Sequence, residues 1–200
     1  MAVCHFVFCI YAYGRLRFLY MEETKIIKIA VLGAESTGKS TLCEQLALHY
    51  KTVFVPEYAR TYFTKKKNID DYSLNDLETI YVHQIENEKK AIQAATRFLF
   101  CDTTLITAKI WTLEDFKTIP PFISQNISKV KYDLYLLANN DVNWKKDSLR
   151  KNPDNRDYLY QRNIEDLDLL KANYKVIEGL DEQRLKNAIK HIDSMFEVIK

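Results

Sequence analysis

Short apolar, β-branched runs separated by longer segments of helical period predict an α/β fold. Its expected form is three layers, α/β/α, around a parallel five-stranded sheet, with a polar lid. Two observations carry that class. Five strand-like runs alternate with helical segments from residue 25 onward, and strands joined through helices pair in parallel under cover on both faces. Only four glycines and four prolines occur in 200 residues, so flexible linkers are not expected and the length suits one domain with a sizeable core.

The elements follow in order. Residues 25–32, Lys-Ile-Ile-Lys-Ile-Ala-Val-Leu, fit a buried parallel strand. Gly33-Ala34-Glu35-Ser36-Thr37-Gly38-Lys39-Ser40 completes a G-x-x-x-x-G-K-S phosphate-binding loop, continued by Thr41. Gly33 and Gly38 permit backbone angles that let successive N–H groups turn inward around a phosphate. Lys39 brings a point charge to the β- and γ-phosphates, and the Ser40 hydroxyl suits Mg²⁺. Residues 41–50 repeat apolar side chains at helical spacing, so the loop opens a helix whose N-terminus favours an anion. A glycine turn without a ligand would leave Lys39 and Ser40 without a reason. The fold class is therefore a phosphate-loop (P-loop) NTPase or kinase fold that binds a nucleotide.

Residues 51–56 read as a second strand, stopped by Pro56. Ser73, with Asp76 three residues on, marks the entry of a long helix reaching about Arg97, with Leu77, Ile80, Tyr81, Ile85, Glu88 and Ile92 on its period. A third strand covers 98–101. Helices are expected over 105–117 and 121–130, parted by Pro120 and Pro121, then a fourth strand over 132–138. Residues 139–157 are polar and rich in turn formers, a connection long enough to be functional. A helix over 158–172, a fifth strand over 174–177 and a last helix over 181–199 complete the alternation.

Residues 1–22 read as an extension outside the domain formed by 23–200. The run 1–13 is apolar but too short to span a bilayer, and Arg15 and Arg17 follow it where a signal peptide places its charge first. Met21 is the expected natural start, with a poorly ordered extension or a membrane anchor as the other readings. A net charge of +2 gives no electrostatic case for nucleic acid or a membrane surface. Cys4, Cys9, Cys43 and Cys101 are scattered, with Cys43 and Cys101 on core elements, which points to a reducing, cytoplasmic setting. The four histidines show no metal-ligand spacing.

Ligands of such sheets bind beyond the carboxyl ends of the strands. The phosphate loop, Glu57 to Arg60 and Asp102 converge there. Asp102 suits the acid that holds Mg²⁺ or its water, or the base that takes a proton from a substrate hydroxyl; capping the next helix is the plain alternative. Glu57 faces a similar choice between substrate hydroxyl and a pair with Arg60. Arg150 and Arg156 in the 139–157 lid would stabilise charge as a phosphoryl group moves, unless the lid is a solvated basic loop. Lys109 and Trp111 follow Asp102 closely and would line an acceptor pocket, or else belong to core and surface. No N-K-x-D segment is present, so guanine specificity is not expected.

These motifs together resemble a family. Gly33 to Thr41, Pro56-Glu-Tyr-Ala-Arg60, Phe100-Cys-Asp-Thr-Thr104 and Trp144-x-x-Asp-Ser-Leu-Arg-x-x-Pro-x-x-Arg156 occur in the order seen in the nicotinamide riboside kinase domain of NadR-type proteins, of the P-loop AAA/NadR-like ATP-binding family. The resemblance covers roughly residues 25 to 198. It implies transfer of the ATP γ-phosphate to the 5′-hydroxyl of nicotinamide riboside, giving nicotinamide mononucleotide. It also implies roles: Lys39 and Ser40 for ATP and Mg²⁺, Glu57, Tyr58, Arg60 and Asp102 at the riboside end, Arg150 and Arg156 from the lid. Ser148 stands where the family often has glycine. Nothing here resembles the adenylyltransferase or DNA-binding domains of the larger members, so neither activity is expected. The partner expected is a small-molecule nucleoside, with no nucleic acid, no membrane, and a homo-oligomer left open. A kinase for another nucleoside or nucleotide, or a nucleotide-switched regulatory module, are the alternative functions.

Overall fold

The computed structural model describes residues 7–12, 15–20, 25–66, 71–144 and 154–198. Within the N-terminal segment, β1 (Val7–Ala12) and β2 (Arg15–Tyr20) pair antiparallel, with Val7 opposite Tyr20 and Ala12 opposite Arg15. They form a sheet of their own, separate from the main one. This pairing leaves little mark in the sequence, because β1 is apolar throughout and lacks the alternation that marks a strand.

The main sheet takes β3 (Ile27–Leu32), β4 (Val53–Val55), β5 (Phe98–Asp102), β6 (Leu134–Ala138) and β7 (Tyr174–Ile177) in the order β4-β5-β3-β6-β7, all parallel. Successive residues of β3 face opposite sides. Ile29 and Val31 pack with Leu42, Leu46, Phe98, Phe100 and Ile192, beneath α1 (Lys39–His49) and α7 (Asp181–Phe196). Ala30 and Leu32 pack with Ile106, Ile110, Leu137 and Leu167, beneath α4 (Leu105–Phe116) and α6 (Arg156–Leu169). A sheet buried on both faces needs near-continuous apolar strands, and β5 and β6 are buried at every position. The expected three-layer α/β/α architecture and five-stranded parallel sheet are what the chain forms.

A short helix that sequence analysis did not assign, α2 (Tyr58–Phe63), begins directly after β4. The long helix α3 (Leu74–Ala91) starts at the predicted Ser73: its hydroxyl accepts from Asp76 N at 3.3 Å, and Asp76 Oδ2 accepts from Ser73 N at 2.7 Å. It ends earlier than its apolar period suggests. A 3₁₀ turn over Ile92–Ala94 leads to an extended Ala95, the approach that β5 requires. The helix α5 (Pro121–Asn126) opens on Pro121, where a missing N–H costs nothing. No helix among the described residues is long and apolar enough to cross a membrane.

Because β3 sits between β5 and β6, the chain leaves it between crossovers that run to either side. The loops after β3, β4, β5, β6 and β7 all emerge at the same edge, the place where such sheets hold ligands.

Candidate active site

The loop between β3 and α1 is shaped by two glycines with different needs. Gly33 has φ 140°, and a Cβ there would stand 2.7 Å from the Ala138 carbonyl oxygen at the end of β6. Gly38 is the N-cap of α1 in the left-handed region, φ 77°, with open space around it, so its demand is conformational. Ser36 between them also has positive φ, 62°. Inside the turn Thr37 Oγ1 donates to Ala34 O at 2.9 Å, and Lys39 Nζ donates to the same carbonyl at 2.7 Å. The lysine thus lies folded along the loop.

Asp102, the last residue of β5, is fully buried. Ser40 Oγ donates to its Oδ2 at 2.5 Å, while Oδ1 is buried with no hydrogen-bond partner among the described residues. Burial pushes the carboxyl above the usual carboxylate range, against the opposing pull of Lys39, the Ser40 hydroxyl and Arg60. The helix-cap alternative for Asp102 does not hold: Thr104 caps α4, its hydroxyl accepting from Ile106 N at 3.1 Å. Between them Thr103 sits at φ 70°, an outlier for a β-branched residue and a mark of strain beside a site.

Glu57 precedes α2 as its N-cap residue and forms the anticipated pair with Arg60, Nε to Oε2 at 3.3 Å. Gln84 of α3 fixes this corner. Its side chain accepts from Tyr58 N at 2.8 Å and donates to Asp102 O at 3.3 Å, tying the start of α2 to the end of β5.

Two cavities meet at the loop. One, open to solvent, is lined by all of Gly33 to Thr41 together with Glu57, Arg60, Thr103, Thr107, Ile110, Trp111, Leu159 and Asn163. The other, also open to solvent, lies between Ser36, Thr37, Gly38, Thr41 and the residues Val142, Asn143, Asp181 and Arg184. The loop is the wall between them. Of the residues expected around an acceptor, Glu57, Arg60 and Trp111 line the first cavity. Asp102 lies beneath the loop at Ser40 and is not on that wall. Tyr58 is not on it either; its ring lies 5.1 Å from that of His83. Lys109 is directed to α6, where it forms a salt bridge with the buried Asp166.

The lid reading divides. Arg150 lies outside the described residues. Arg156 is not in a loop but in the first turn of α6, because the helix starts two residues earlier than its apolar period suggests. Among the described residues its Nε and Nη2 are buried without a hydrogen-bond partner. Buried guanidinium donors left unpaired are costly, and an anion would satisfy them.

A family model for an AAA domain matches residues 28–184, which takes in the sheet, the phosphate loop and the site acids. The chain belongs to that family. The trifunctional NAD biosynthesis/regulator protein NadR of Salmonella typhimurium is 31% identical over 124 residues, 61% of this chain and 30% of the relative. The protein of the same name from Escherichia coli K12 gives the same figures. The chain therefore spans less than a third of the length of the curated relatives it matches. Among solved structures, the NadR protein in complex with NR superposes with a TM-score of 0.71 at 21% identity, over 88% of this chain and 52% of the other. A deoxyadenosine kinase from M. mycoides, bound to products, gives 0.60 at 14%, over 84% and 100%. These likenesses show the fold.

In this AAA domain three site-bearing residues escaped sequence analysis: Gln84, Asn163 and Arg184, all buried polar groups on helices. Arg184 of α7 donates to Thr37 O at 2.5 Å, Gly179 O at 2.8 Å and Asn139 O at 3.2 Å, and pairs with the Asp141 carboxylate. Asp141 Oδ2 in turn accepts from Gly179 N at 2.6 Å. The phosphate loop is thereby bound to the loops that follow β6 and β7. Polar residues on amphipathic helices default to solvent, so only the fold reveals them.

Proposed function

We propose that the chain is an ATP-dependent kinase that phosphorylates the 5′-hydroxyl of nicotinamide riboside, giving nicotinamide mononucleotide. The observation that carries this reading is the pair of cavities sharing the phosphate loop as their common wall. A donor in one and an acceptor in the other would meet across the loop residues common to both, Ser36, Thr37, Gly38 and Thr41. The likeness to NadR proteins supplies the choice of acceptor.

The donor belongs on the Val142–Arg184 side, with its phosphates on the inward-turned N–H groups of 33–41 and on Lys39. Ser40 and Asp102 would hold Mg²⁺, and their chemistry fits it: a hydroxyl, an adjoining carboxylate and a buried carboxylate oxygen without a partner. When bound, Mg²⁺ supplies charge neutralisation on the phosphates. Glu57, on the acceptor wall, would take the proton of the 5′-hydroxyl as its oxygen bonds to the γ-phosphorus and ADP departs. This divides the two acids: Asp102 to the ion, Glu57 to the acceptor. Arg156, and Arg150 from the lid, would add positive charge as the phosphoryl group moves.

The test is ADP release by purified protein with ATP and Mg²⁺, screened over nicotinamide riboside and common nucleosides. Stimulation by nicotinamide riboside well above the others is expected. Stimulation by another nucleoside alone, or hydrolysis indifferent to any acceptor, would overturn the reading.

A further inference from the structure

The acceptor cavity has a polar end and an apolar end. Glu57, Arg60 and the phosphate loop form the first. Ile110, Trp111 and Leu159 form the second, with Asn163 one helical turn beyond Leu159 on α6. Asn163 is only 4% exposed. Its Nδ2 donates to Leu159 O at 2.7 Å, and since a carbonyl can only accept, this contact fixes which end of the amide is which. The remaining atom, Oδ1, is buried with no hydrogen-bond partner among the described residues. Asn163 lines the cavity, and a buried acceptor left unpaired is costly, so a donor from whatever fills the cavity would satisfy it.

We infer that Asn163 is a specificity-determining residue, whose Oδ1 accepts a hydrogen bond from an N–H group on the ring of the acceptor. The inference rests on the proposed kinase reading and deepens it. With the sugar hydroxyl directed to Glu57 and the loop, the ring falls against Ile110, Leu159 and Trp111, and a ring substituent reaches Asn163. The chemistry selected is a primary carboxamide, or another donor at that position. A ring bearing a ketone or a carboxylate there offers no donor, and a carboxylate would set negative charge against Oδ1.

The test compares two acceptors and two proteins. Nicotinamide riboside carries the carboxamide; 3-acetylpyridine riboside replaces its NH₂ by a methyl group of similar size. The wild type is compared with Asn163→Leu, which keeps the volume and removes the acceptor atom, and with Asn163→Ser as a smaller polar control. The wild type is expected to prefer the carboxamide by roughly 10- to 100-fold in kcat/KM, the range that follows when a buried polar group is left unpaired. Asn163→Leu should bring that ratio close to one, chiefly by weakening use of the carboxamide substrate, with KM for ATP unchanged. A structural role alone would lower both acceptors together and keep the ratio. Equal use of the two ribosides by the wild type, or a ratio unmoved in both variants, would overturn the inference while leaving the kinase reading in place. No turnover of either riboside by the wild type would instead remove the reading, and the inference with it.

Discussion

Burial raises the proton affinity of the Asp102 carboxyl, while Lys39, the Ser40 hydroxyl and Arg60 lower it, and burial prevails. Such a group binds its proton more tightly folded than unfolded. Its ionisation therefore opposes folding, and stability declines as pH rises from the ordinary carboxylate range through the raised one. Asp102→Asn is accordingly expected to leave the melting temperature of the nucleotide-free protein unchanged or higher above neutral pH. Turnover in the same variant should fall on the order of 10²-fold or more, since the carboxylate proposed to hold Mg²⁺ beside Ser40 is lost. Melting scans beside initial rates check this, and a variant both unstable and active would refute it. Lys39→Ala belongs to the same scale. Its ammonium lies along the rim of the loop, bonded to the Ala34 carbonyl, where the proposed phosphates would sit, so turnover should drop by about 10²-fold while circular dichroism shows the fold retained. Lys109 shows why single residues mislead when read from sequence. It stands close to Asp102 in the chain, but 100° per helical residue turns Thr107, Ile110 and Trp111 to the cavity and Lys109 to Asp166.

At the scale of elements, the loop and the start of α3 were legible for opposite reasons. The phosphate loop is contiguous, and each of its residues has a local task. Gly33→Ala is expected to abolish nucleotide binding, because the added methyl would meet Ala138 O at 2.7 Å and force the loop off β6. Loss of the thermal shift given by a non-hydrolysable ATP analogue would show it. The α3 start is read from a capping pattern, and there the acid has a second duty. Asp76 is bonded to Ser73, Lys66 and Tyr62. Burial alone would raise its carboxyl, but the bonds from Lys66, Tyr62 and Ser73 bring it well below the usual range. A depressed carboxyl stabilises the fold fully above its unfolded value, near 4, and loses that contribution as pH falls toward the folded one. Asp76→Ala should cost about 0.5–2 kcal/mol near neutral pH, as loss of a cap does. The gap to wild type should close on acidification, and parallel urea titrations at several pH values measure it.

Across the whole molecule, alternation of strands and helices made the three layers and the sheet legible, and an acid ending an apolar strand made Asp102 legible. What stayed hidden were contacts closed over long distances in the chain. Gln84 reaches Asp102 across 18 residues, and Arg184 reaches Thr37 across 147. No local pattern marks a helix residue as inward when its partner lies that far away. Arg184 joins the ends of β6 and β7 to the phosphate loop, so it tests whether the sheet edge acts as one unit. Burial lowers its proton affinity and the Asp141 carboxylate restores part of it, so the guanidinium stays charged at any working pH. Arg184→Met keeps the apolar stem and strips three carbonyls and one carboxylate of their donor. Arg184 is buried while Asp141 is exposed, so the cost comes from the buried and half-buried carbonyls left without their donor, about 1–3 kcal/mol, a sizeable part of a domain's roughly 5–15 kcal/mol. Arg184→Lys should recover little, because one ammonium cannot span acceptors set for a planar fork. Adding Asp141→Asn to Arg184→Met should give less destabilisation than the sum of the two single changes, since it removes the carboxylate left unpaired. Urea unfolding of the four proteins measures that coupling. Strict additivity would mean that the pair is incidental and that the loop is held by its own glycines.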